Sequence, residues 1–144
     1  MKKRYIILVW ALMMCACIML TGFSESGDNA AALLKARTGI FKLLQYGELT
    51  QEAARKQLYE IETGQQLEAD LQYVDRFCDT EICRVESLYI KKLERTAKKS
   101  GYEVYQATVD WQFEEGIYES IDYSVILKKT GKNYKIARIS ALHL

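Results

Sequence analysis

No proline occurs in the 144 residues, and histidine occurs once, at His143, one position from the end. Without proline, turns must be built from Gly, Asn, Ser and Thr. A lone histidine at a fraying terminus leaves a Ser-His-Asp or Cys-His nucleophile without its base, and a zinc site without partners. The chain also lacks GxSxG, HExxH, GxxxxGK[ST] and GxGxxG. Those spacings make a nucleophile elbow, a zinc-binding helix, a phosphate loop and a dinucleotide turn. The expectation is therefore a protein without catalytic machinery, metal or cofactor. An excess of one charge is missing as well. With Lys2, Lys3 and Arg4 set aside, 17 basic and 19 acidic residues remain, so the electrostatic footprint of a nucleic-acid binder is lacking.

One long hydrophobic run is present, and it is the first thing in the chain. After Met-Lys-Lys-Arg comes Tyr5 to Phe23, nineteen residues without a charge, followed by the polar stretch SESGDN. Nineteen residues at the helical rise can cross a bilayer core. The positive head predicts the N-terminus inside and everything after Phe23 outside. Three fates compete: an uncleaved membrane anchor, a signal peptide cleaved near Gly22 and Ser24, and a lipoprotein signal lipidated at Cys17. Residues 1–27 thus read as targeting segment and linker, and 28–144 as one extracytoplasmic domain, membrane-tethered or secreted, of an ordinary single-domain size.

Within that domain the first half is helical. Leu33, Leu34, Ile40, Phe41 and Leu44 follow helical spacing toward a stop at Gly47. Thr50 is an N-cap for a second helix, with Glu52 in its first turn, Ala54, Leu58 and Ile61 on its buried face and Gly64 at its end. Leu67, Leu71, Val74 and Phe77 mark a third helix. The second half alternates with period two. A strand runs from Cys83 to Arg95, with Val85 and Tyr89 on one side and Leu88 and Ile90 on the other. A TAKKSG turn follows, then the regular YEVYQATVDWQF from Tyr102 to Phe113, with Tyr105, Ala107, Val109, Trp111 and Phe113 on the apolar face. Glu115-Gly116 turns into a third strand carrying Ile121, Tyr123, Val125 and Leu127, and Thr130 to Asn133 turns into a fourth with Tyr134, Ile136, Ala137, Ile139 and Leu142. Helices first and strands afterwards predicts an α+β fold, two to three N-terminal helices packed on a four-stranded antiparallel meander.

That order of elements, with YSVILKKTGKNYKIARI reading as a long hairpin, resembles the NTF2-like and cystatin-like α+β domains, in which a curved sheet wraps a helix. An N-terminal membrane segment ahead of such a domain is similar in layout to bitopic accessory proteins of secretion and conjugation systems. The resemblance implies a fold and a cell-envelope setting, and carries no site residue with it.

Candidate sites come from the residues alone. Cys78 and Cys83, in FCDTEIC, are the only cysteines of the exported part; an oxidising compartment permits a disulfide, worth about 2 kcal/mol for so small a ring. Two free thiols are the plainer alternative. Asp110 and Asp122 fall on the polar face of neighbouring strands, where two close carboxylates could serve as an acid and base pair, or simply meet solvent. Lys91, Lys92, Arg95, Lys98 and Lys99 cluster at the first hairpin, either as a contact patch for anionic surfaces or as solubilising charge at a sheet edge. Together these readings predict a non-catalytic envelope domain that binds another envelope protein or itself. The alternative is a small-ligand binder or small enzyme using Asp110 or Asp122.

Overall fold

The structure, a computed structural model, describes residues 26–77 and 83–142. Tyr5 to Phe23, Cys17, Cys78 and His143 lie outside the described residues, and among those described no helix is long and apolar enough to cross a membrane. Three helices, α1 (Ser26–Gln45), α2 (Gln51–Ile61) and α3 (Gly64–Arg76), precede four strands, β1 (Val85–Lys99), β2 (Tyr102–Phe113), β3 (Tyr118–Thr130) and β4 (Asn133–Ala141). The strands form one antiparallel sheet in the order β1-β2-β3-β4, so the fold is α+β, a meander covered on one face by helices, as the sequence predicts.

The local chemistry explains the boundaries. Thr50 caps α2, its Oγ1 accepting from Ala53 N at 3.2 Å. Gly47, at φ 71, ends α1 with its amide on Leu44 O, the left-handed stop that a residue without Cβ adopts freely. Gly64 is a correction. It also has positive φ (60), but it opens α3 instead of closing α2, because the chain turns at Glu62 and Thr63, where Thr63 N donates to Ile136 O of β4. The TAKKSG turn is shorter than expected: β1 runs on to Lys99, paired with Tyr102, and Ser100-Gly101 alone makes the loop.

The side assignment on β1 also needs correcting. Its pairing with β2 shifts register past Glu86, Lys91 and Thr96. Each such bulge re-aims the side chains beyond it and adds twist. Tyr89 therefore points to solvent, 68% exposed, while Val85 joins Leu88 and Ile90 on the helix-covered side. Strict period-two counting cannot survive an inserted residue.

The interior has two parts. Ala30 and Leu34 of α1 pack on the sheet with Tyr105, Ala107, Val109, Val125, Leu127 and Ile136. Ile40 and Leu44, further along the same helix, pack with Ala54, Leu58 and Val74 of the α2-α3 hairpin. Each fully buried aliphatic side chain contributes about 1.5–3 kcal/mol by leaving water. Helix α1 is thus shared, its first half on the sheet and its second half on the other helices.

Candidate functional site

Where α1 passes from one core to the other, its core-facing stripe Ala30, Leu34, Phe41 and Leu44 is interrupted by Arg37. Two carboxylates converge on this guanidinium. Asp70 of α3 accepts from Nε at 2.6 Å and from Nη2 at 2.9 Å, a two-pronged geometry that suits a planar guanidinium. Glu62, at the end of α2, accepts from Nε at 3.0 Å. Gln66 ties the cluster to the sheet, donating to Asp70 Oδ1 at 3.1 Å and accepting from Ile139 N of β4 at 2.8 Å. One charged node thereby joins all three helices to the edge strand.

One cation faces two carboxylates that are nearly sealed from water, with Glu62 1% and Asp70 6% exposed. Burial raises the Glu62 carboxyl, and the neighbouring Asp70 adds to the effect; Arg37 opposes both, leaving Glu62 at about 9 instead of its ordinary 4.5. Burial thus favours the protonated form of Glu62, whose Oε2 finds no hydrogen-bond partner among the described residues. With Glu62 neutral, the charges of Arg37 and Asp70 cancel. Burial lowers the Arg37 guanidinium, but the bonds and charge of Asp70, and then Glu62, outweigh it and hold it above its ordinary range.

Beside this node a cleft of about 230 Å³ opens between α1, α3 and the sheet, lined by Arg37, Thr38, Phe41, Gln45, Asp70, Tyr73, Val85 and Trp111. Its walls are tied together by ring contacts and hydrogen bonds. Phe41 and Tyr73 meet edge to face at 5.2 Å, and the Arg37 guanidinium lies 4.8 Å from the Phe41 ring centre. Trp111 Nε1 donates to Tyr123 Oη at 3.0 Å, and Gln45 donates to Tyr73 Oη while accepting from Val85 N. Past Arg37 and Trp111 a smaller chamber of about 50 Å³ continues toward Leu88 and Val109, room for about one water molecule. Glu62 lines neither space.

Asp110 and Asp122 occupy the other face of the sheet. Asp110 stands opposite Ser120 and Asp122 opposite Thr108, with the Val109–Ile121 pair between them, so they are offset by two pairs along the strands, and they line neither cavity. Thr108 Oγ1 donates to Asp122 at 2.6 Å, and Lys91 Nζ lies 3.6 Å from Asp110. The basic cluster is largely engaged with carboxylates. Lys92 meets Glu94 at 3.2 Å, and Arg95 and Lys98 approach Glu103 at 3.5 and 3.7 Å. Cys83 is exposed with a free thiol; Cys78, its expected partner, is not among the described residues. Among those residues no group of three or more His, Cys, Asp or Glu side chains could hold a metal. No protein-family model matches the chain, and comparison with curated proteins finds no match either.

Proposed function

We propose that the chain is a non-catalytic cell-envelope domain, membrane-attached or exported through its N-terminal segment, that works by binding another envelope protein. What supports this most is the outer face of the sheet. Among the described residues Tyr89 and Tyr118 are the most exposed large apolar side chains, at 68% and 70%. Register places Tyr89 opposite Asp110 and Tyr118 opposite Gln112, so the two rings flank β2 on a face that no described helix covers. Tyrosine supplies contact area at small entropic cost together with a hydrogen-bonding tip, and is enriched where proteins meet. Asp110, Gln112 and Ser120 between the rings supply the polar part of such a surface. The NTF2-like or cystatin-like relationship belongs to the same proposal.

The test is site-specific photocrosslinking in the full chain, with a benzophenone amino acid at position 89 or 118, and at Tyr59 on α2 as control. The expected result is a discrete adduct from 89 and 118 that is absent from 59. Equal adducts from all three positions, or none from 89 and 118, would sink the reading.

A further inference from the structure

The Arg37 guanidinium is not fully used by the protein. Of its five N–H groups, Nε–H serves Asp70 and Glu62, and one on Nη2 serves Asp70; the two on Nη1 and the second on Nη2 find no acceptor among the described residues. These three lie on a side chain 22% exposed that forms part of the cleft floor, and Nη1 is open to the cleft, since it is not among the buried atoms that lack a partner. Asp70 is similarly incomplete. Its two oxygens offer about four acceptor positions, and Arg37 and Gln66 occupy three. The floor thus presents several donors beside one acceptor, between the aromatic walls Phe41, Tyr73 and Trp111.

We propose that this cleft is a binding site for a small, uncharged aromatic compound bearing a carboxamide or similar carbonyl group. Its carbonyl oxygen accepts from the free edge of Arg37, its amide N–H donates to Asp70, and its ring lies against the aromatic walls. Volume and charge narrow the class. A cavity of about 150 Å³ is enough for benzene, so about 230 Å³ takes one substituted or fused ring pair and excludes larger ligands. Because Arg37 already faces two carboxyl groups, Asp70 and Glu62, an added carboxylate would bring a third to a single cation in a poorly solvated site, where it costs far more than a neutral carbonyl. The cleft lies on the opposite side of the sheet from Tyr89 and Tyr118, so it is independent of the protein-binding surface.

The probes are benzamide, 2-naphthamide and benzoate, titrated into the full chain in detergent micelles. Trp111 fluorescence is the readout, with Trp10→Phe removing the other tryptophan. We expect saturable quenching by both amides, with a dissociation constant of about 1 mM or tighter, and benzoate at least tenfold weaker. Thr38→Met, which pushes a longer side chain into the cleft without touching the charged node, should abolish the effect while circular dichroism stays unchanged. Arg37→Lys is a second variant, expected to weaken the amides at least fivefold. Absence of saturation by either amide, equal binding of benzoate, or undiminished binding to a folded Thr38→Met protein would each overturn the proposal.

Discussion

Tyr105 donates its phenol to Glu103 two residues earlier on the same strand, Oη to Oε2 at 2.6 Å, with both side chains almost wholly buried. Glu103 thus occupies an inward position of β2 among apolar neighbours. Arg95 and Lys98 of β1 approach its other oxygen. Tyr134 of β4 faces it too, its phenol raised first by burial and then by the Glu103 charge and hydrogen bond. Removing one partner from a buried group costs more than the bond itself is worth. Tyr105→Phe should therefore destabilise by about 1–3 kcal/mol, while Glu103→Gln, which keeps an acceptor for Tyr105, should cost less than Glu103→Ala. Urea midpoints of the three variants decide the order. Equal midpoints for Gln and Ala would show that the carboxyl oxygen is not what Tyr105 needs.

The Glu62 proton makes stability depend on pH. The folded value, about 9, lies above the ordinary 4.5, so between these limits the folded state holds more protons than the unfolded one. The stabilisation is complete below pH 4.5 and is lost progressively as pH rises toward 9, by at most about 1.4 kcal/mol per unit for an isolated group. Glu62→Gln keeps an acceptor for Arg37 without a titrating proton. Thermal melts of the variant and wild type should converge near pH 4.5 and diverge toward pH 9, with the variant the more stable. A constant difference across that range would assign the proton elsewhere.

Glu115 is the only described non-glycine residue with positive φ, at 64°, and it precedes Gly116 in the turn between β2 and β3. A residue with a Cβ costs roughly 1–2 kcal/mol in this conformation, while glycine gives back part of the gain in unfolded-state entropy. Glu115→Gly should raise the urea midpoint by the equivalent of about 0.5–1 kcal/mol. A lowered midpoint would mean that the Glu115 side chain contributes more than its backbone strain costs.

The elements and their order could be read from periodicity because most stripe positions are apolar. The charged node could not, since apolar counting passes over the residues that break the pattern. Arg37 falls three positions after Leu34 and four before Phe41, and Asp70 three after Leu67 and four before Val74, both on buried stripes. Glu103 likewise extends the inward series of Tyr105, Ala107 and Val109 by one step. Charges at such positions were the available signal, and they mark buried ion clusters more reliably than Asp110 and Asp122, which fell on a face already polar. The bulges at Glu86, Lys91 and Thr96 left no comparable signal, because they arise from pairing across strands and no local residue type requires them.

Lys98 and Lys99 are adjacent, equally basic in the sequence, and differently placed. Lys98 Nζ lies 3.7 Å from the buried Glu103 carboxylate, whereas Lys99 sits at the hairpin end opposite Tyr102. If the basic cluster served mainly to contact an anionic surface, reversing either charge would act alike on that contact and leave folding untouched. The pairing predicts a split instead. Lys98→Glu sets a second negative charge beside a carboxylate that cannot escape to water. Because the lysine is 61% exposed, solvent screening limits the cost to about 1 kcal/mol, shrinking as salt is added. Lys99→Glu should stay within about 0.5 kcal/mol of wild type at any salt concentration. Denaturation at low and high ionic strength separates the two, and equal, salt-independent effects would return the lysines to a purely surface role.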